Sequence, residues 1–338
     1  MFNALERSKY EMRLESVFRP VELLIGIGLV IWTKNILLVA LSHTLFMCLQ
    51  GYISYRVVQS KIMPVRPKWH WQKLKNLVLS SSPMAISVPF NQLFLQGPVL
   101  LLKRADAPLS MLGNFSLSMQ AFMIVDSLFA SIGLSAMPVL SRLEQNSGVL
   151  KFAKLSIQLS VIVGFSFYLV GSVIIEPVVL WVFANGYENA ATHTHVLLLA
   201  LIPSTCKALL RSILVSQRRL KSVMMTDVIG IAVFALSFSY LFTLLGFSGA
   251  IYSLIIGFTV SAMISIGCLL QSGELSFTRD VLKPIILLLG GIVLYQFVGQ
   301  YFNNFYQALL TLVGFSLMSM QVVPIPVAWI KNKLKRKK

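Results

Sequence analysis

The sequence predicts an all-α fold, a polytopic membrane helix bundle of about ten transmembrane helices, and three observations carry that reading. Hydrophobic residues make up 56% of the 338-residue chain and charged residues 12%, with a mean hydropathy of +0.77; a soluble domain holds about a quarter charged residues. Apolar windows long enough to cross a bilayer as helix recur at about 17–33, 36–57, 76–102, 111–140, 155–182, 192–215, 223–245, 247–270, 281–301 and 305–330. The 29 Lys and Arg are placed asymmetrically: with a cytoplasmic N-terminus, 23 fall in inside segments, three in outside loops and three within spans. That is the positive-inside bias. It puts both termini in the cytoplasm and assigns the net charge of +17 to the membrane surface and its lipids, so no nucleic-acid partner is expected.

Met1–Arg19 is basic and amphipathic rather than a cleavable leader. A helix is expected from near Ser16, with Pro20 in its first turn, where the missing N–H is harmless. Arg19 and Glu22 are three apart and can meet on one face; Arg19 either snorkels at the cytoplasmic boundary or lines a cavity. His43 in the second span reads as a packed residue bonded to a neighbouring helix, with a proton relay as the alternative. Residues 59–75, with Pro64, Pro67, Trp69, Trp71 and several basic side chains, form a cytoplasmic linker held at the headgroups.

Spans three and four carry more polar and helix-bending residues than crossing a membrane requires. The first holds Pro83, Pro89, Asn91, Gln92, Gln96, Gly97 and Pro98; the second holds Asn114, Gln120, Asp126 and Pro138. An ionised side chain near the middle of a lipid-facing helix costs about 2.5–3.5 kcal/mol on insertion scales. These two spans are therefore expected to face a wet cavity.

Span five ends at Glu176-Pro177, and because helices commonly stop before proline, Pro177 is expected to open a short surface helix that Gly186 ends. His193 and His195 lack a Cys or carboxylate partner and read as an exposed loop, not a metal site. Cys48, Cys206 and Cys268 all fall inside spans, which argues against a disulfide. Lys207 and Arg211 in span six are four apart, on one helix face. Two such cations either hold a phosphate or pyrophosphate or snorkel to the inner surface. The turn LLGFSGA (244–250) lets spans seven and eight pack closely. Spans nine and ten are nearly uncharged, GQYFNNFY (299–306) between them fits the outer aromatic belt, and residues 331–338 form a basic cytoplasmic tail.

An internal repeat organises these elements. The segment 4–17 plus two spans has the layout of 213–228 plus two spans: a basic turn, then a helical hairpin. In the second copy four spans precede the basic turn, giving a six-helix unit from 76 to 270; in the first copy only the start of the chain precedes it. The expected organisation is a two-helix remnant of an N-terminal lobe (1–58), the linker (59–75), a complete C-terminal lobe (76–270), two additional helices (271–330) and the tail (331–338). By repeat logic the chain is expected to lack four helices at its N-terminus.

The run GNFSLSMQAFMIVDSLFASIGLSAMPVLSRL (113–143) resembles the stretch of O-antigen and polysaccharide flippases that ends in Pro-x-Leu-Ser-Arg-Leu. Further similarity lies in GYENAATHTHVLLLALIP (186–203), ILVSQRRLK (213–221) and LLGFSGAIYSLIIGF (244–258), in the same order and spacing. The chain resembles, on these motifs, the multidrug/oligosaccharidyl-lipid/polysaccharide exporter superfamily. The resemblance implies two lobes around a central cavity, with the spans here corresponding to helices five to fourteen and 76–140 forming one cavity wall. At Leu95-Gln96-Gly97-Pro98 the chain departs from the pattern, since many relatives carry an acidic residue there.

The same resemblance implies flipping of a lipid-linked oligosaccharide, a polyprenyl pyrophosphate glycan, across a bacterial cytoplasmic membrane by alternating access. Lys207, Arg211 and Arg19 would face the pyrophosphate, and Asn91, Gln92, Gln96 and Gln120 the sugars. Asp126 would pair a cation, carry a proton or join helices by a hydrogen bond. Two other readings stay open: a drug/cation antiporter of the same superfamily, which would favour acidic over basic cavity residues, and a truncated form without transport activity. Every outer loop is short, unlike the long outer loop of a membrane polysaccharide polymerase, so no enzyme activity, catalytic residue, cofactor or metal is expected.

Overall fold

A computed structural model of the chain describes residues 8–61, 70–142, 148–183, 187–271, 277–301 and 304–322. Among the described residues regular structure is helical throughout, with no strand. Eight of the described helical segments are long and apolar enough to cross a membrane, so the chain is a multi-pass membrane protein. The helices are α1 (Ser8–Thr33), α2 (Ile36–Lys61), α3 (Trp71–Arg104), α4 (Leu109–Arg142), α5 (Gly148–Phe183), α6 (Glu188–Leu197), α7 (Leu201–Ser216), α8 (Leu220–Leu245), α9 (Phe247–Gln271), α10 (Lys283–Gly299) and α11 (Asn304–Val322). The expected spans fall on these helices with two differences in kind. In α1 the uninterrupted apolar run begins only after Glu22, and α1 is not among the eight; in α11 the apolar stretch Tyr306–Ser319 is short. The basic tail and residues 62–69 of the expected linker lie outside the described residues; the rest of 59–75 differs from a linker in continuing α2 to Lys61 and opening α3 at Trp71.

Two compact units divide between Leu77 and Val78, inside α3. In the first, α1 and α2 form a hairpin whose turn holds Lys34 at φ 50°, and the Leu37 N–H donates to Asn35 Oδ1 at 3.0 Å, capping α2. Helix α1 starts by Ser8, well before Ser16, so Pro20 lies in its interior instead of its first turn. Arg19 meets Glu22 at 3.3 Å, as their spacing allows, and His43 bonds the other oxygen of Glu22 across the hairpin.

The second unit is built around α7. It packs on α4, α5, α8 and α9, and ten of its 16 residues are buried, Lys207 among them. A three-residue 3₁₀ turn, Leu198–Ala200, joins α6 to α7, because Pro203 cannot donate to the Leu199 carbonyl. His193 and His195 are therefore helical and half-buried, not on an exposed loop: His193 stacks on Phe247 at 4.7 Å and His195 lies 6.1 Å from the Tyr168 ring. Among the described residues no group of side chains could hold a metal.

Helix α5 runs unbroken through Pro177, contrary to the expected stop. Lost backbone bonds inside the bilayer are tolerated where neighbours supply alternatives. Such a repair is visible in α3, where the Ser82 hydroxyl donates to the Leu79 carbonyl at 2.9 Å, the acceptor that Pro83 leaves without its N–H. The C-terminal pair α10–α11 packs on α5 through Phe165, Leu169, Leu287 and Phe315, and Lys154 meets Asp280 at 3.2 Å at the start of that pair.

The α8–α9 hairpin is the closest packing in the unit. Its turn is a single residue, Gly246, at φ 55°, a conformation that side chains other than glycine rarely adopt. Along α9, Gly249, Ser253, Gly257, Ser261 and Ser265 recur every four residues and all are buried. That stripe lets the two backbones approach, as small residues do in membrane helices generally. A Cβ on Gly249 would collide with the Leu241 carbonyl, whereas one on Gly267, on the same helix, would meet nothing within 4 Å. The Gly249→Ala protein is expected to unfold at a lower temperature in detergent, by about 1–3 kcal/mol of stability, and Gly267→Ala to match wild type; a thermal-unfolding series on the two variants checks the contrast.

Candidate functional site

Ser87 and Asn91 of α3 share one face because they are four apart, and Met84 and Phe94 extend that face in either direction. On α7, Ser204, Lys207 and Arg211 line up in the same way. Asp126 of α4 accepts a short hydrogen bond from the Ser204 hydroxyl. Gly133 allows α4 to approach α7 closely, since a Cβ there would stand 3.3 Å from the Ala208 carbonyl.

Between these faces lies a cavity of about 430 Å³. Asn91, Gln92, Asp126, Ser204, Lys207 and Arg211 line it together with apolar residues of α3, α4 and α7, and Phe258 of α9. Five of the eight residues singled out from sequence thus share one wall. Gln96 and Gln120 do not: both are exposed and away from the cavity. The reason is angular, since at about 100° per residue Gln96 is turned about 140° from Asn91, and Gln120 about 120° from Asp126. Arg19 belongs to the first unit, where it is 53% exposed and paired with Glu22.

The decisive residue is one that sequence reasoning misses. Asp227, fully buried on α8, takes Lys207 Nζ at 2.8 Å on one carboxylate oxygen and Arg211 Nη1 at 3.0 Å on the other. Ser87 also donates to it, and Arg211 Nη2 in turn donates to the Ser87 hydroxyl at 2.9 Å. Lys207 completes its surroundings with Asn91 Oδ1 at 3.0 Å and the face of Phe94, whose centroid is 4.1 Å from Nζ. Neither cation snorkels: the side chain of Lys207 is 4% exposed and that of Arg211 19%. An acid inside an otherwise apolar stretch is the available signal for Asp227, just as it is for Asp126.

Chemically, two cations and one carboxylate form a cluster with one net positive charge. It opens to the cavity on one side, where Phe94 and Phe258, their rings stacked at 4.6 Å, belong to the lining. A low-dielectric wall strengthens such charges toward whatever enters the cavity. No protein-family model matches the chain, and no curated protein matches it.

Removing one member of a buried ion pair leaves the other uncompensated, at a cost of about 3–5 kcal/mol when no second partner exists. Here Arg211 remains for Asp227, so Lys207→Met is expected to lose less than that. Adding Asp227→Asn to Lys207→Met is expected to recover part of the loss, with a coupling of about 1–3 kcal/mol, read from a double-mutant cycle of unfolding in detergent.

Proposed function

We propose that this membrane protein is a transporter whose cavity accepts the anionic headgroup of a lipid-linked oligosaccharide, and that it moves the molecule across the bacterial cytoplasmic membrane by alternating access. One observation carries the reading: Lys207 and Arg211, held inside apolar helices, line a cavity large enough for a headgroup. A pyrophosphate matches paired cations in charge and hydrogen-bonding geometry. Asn91 and Gln92 on the same wall offer amide groups suited to sugar hydroxyls. The motif resemblance to polysaccharide flippases in 113–143, 186–203, 213–221 and 244–258 supports the same substrate class.

A second reading, a drug/cation antiporter, draws on Asp126, the cavity carboxylate held by a serine hydroxyl. An organic cation would seek that group and be repelled by the lysine and arginine one helix away. The excess of cations over free carboxylate on this wall favours the anionic substrate.

Binding decides between them. The purified protein in detergent is expected to bind a polyprenyl pyrophosphate and not the uncharged polyprenol, as measured by native mass spectrometry. Lys207→Met and Arg211→Met are each expected to weaken that binding by about tenfold or more, the loss of a charge-assisted contact. Binding of a lipophilic cation that Asp126→Asn abolishes, with none of the pyrophosphate lipid, would establish the antiporter instead.

A further inference from the structure

The two cations that line the cavity are not available to it in full. Lys207 and Arg211 stand as a partition: the cavity is on one side, and on the other Thr226, Asp227, Val223 and Ser265 line a space with no room for a water molecule. Asp227 is 0% exposed and does not line the cavity, so an incoming anion meets the cations from the opposite side. Arg211 already donates to one oxygen of Asp227 at 3.0 Å, and the Lys207 ammonium stands 2.8 Å from the other as an ion pair. Ser87, itself 0% exposed and outside the cavity lining, holds the carboxylate in place by donating to it.

We propose that Asp227 is an internal competitor for the substrate's phosphate groups, a built-in anion that occupies the cation pair when the cavity is empty and sets how tightly the cavity holds its ligand. This rests on the anionic-headgroup reading above. A carboxylate and a phosphate oxygen seek the same donors of Lys207 and Arg211, so each donor turned toward the ligand is withdrawn from Asp227. Resting cations paired in this way avoid the cost of being buried alone. They also bind an arriving anion more weakly than unpaired cations would, which is what a transporter needs if it is to release what it captures. The other charged group facing the cavity, Asp126, is tied to Ser204 and adds a fixed negative charge on the α4 side.

The test compares polyprenyl pyrophosphate affinity among wild type, Asp227→Asn, Ser87→Ala and Lys207→Met in detergent, with inorganic pyrophosphate as a second probe to separate headgroup from lipid recognition. Asp227→Asn is expected to bind the lipid about tenfold or more tighter than wild type. Ser87→Ala, which keeps every charge and removes the hydroxyl that donates to Asp227 and accepts from Arg211 on the side away from the cavity, is expected to bind about two- to fivefold tighter. The same order with inorganic pyrophosphate places the competition at the headgroup. Unchanged or weaker binding by both variants, with Lys207→Met still losing affinity, overturns the competitor role and leaves the anion site standing. Absence of binding in wild type and in every variant overturns the anion site itself. Should Asp227→Asn fail to fold, the Ser87→Ala comparison decides alone, and an affinity equal to wild type overturns the proposal.

Discussion

A charge inside an apolar helix bundle must find a partner, and in the second unit Asp227 is the partner of two. Lys207 and Arg211 come from α7 and Asp227 from α8, while Ser87 and Asn91 bring α3 into the same cluster. Three helices are thereby held in one register, because sliding any of them by a turn would strand a charge. The close α8–α9 packing serves this arrangement. Gly230, one turn beyond Asp227, accepts Ser261 and Phe94 against its backbone, so a larger residue there would push α8 away from the cluster that it must reach.

The surroundings of the cluster are asymmetric. Phe94, Phe122, Phe234 and Phe258 form a continuous aromatic block on one side, with Phe94 and Phe258 both over the Lys207 ammonium. A ring face contributes attraction to a cation without offering a competing acceptor. Phe94 and Phe258 also line the cavity, where Asn91, Gln92, Asp126 and Ser204 supply polar atoms.

Much of this is legible in the sequence, and the parts that are not have a common cause. Apolar window length locates the helices, and the excess of polar residues in spans three and four locates the cavity wall, because both signals are local to one helix. Spacing of four places Lys207 with Arg211 correctly. Spacing within a helix cannot give which helices meet, and so Asp227, sixteen residues beyond Arg211 on another helix, looks in sequence like the end of a basic turn, with no sign of its pairing. Gln96 and Gln120 resemble cavity residues by type alone, and their angular offset from Asn91 and Asp126 argues against them. Pro177 misleads in the other direction: proline ends helices in water more readily than in a bilayer, where an unwound segment would leave several backbone groups without partners.

Helix α3 combines two properties that bear on how occupancy of the cavity is felt elsewhere. It carries three interior prolines, Pro83, Pro89 and Pro98, and it is fastened to the charge cluster at Ser87 and Asn91, on either side of Pro89. Proline removes the bond to the carbonyl four residues back and is the commonest cause of bending in long helices. The segment most able to bend is therefore the one whose side-chain ties run directly to Asp227 and Lys207. On the proposed reading, a ligand that draws Lys207 and Arg211 toward the cavity changes the surroundings of Ser87 and Asn91 together, so both ties flanking Pro89 respond to one binding event. Coupling of that kind requires no separate relay, because the groups that bind the ligand and the groups that restrain the helix are the same.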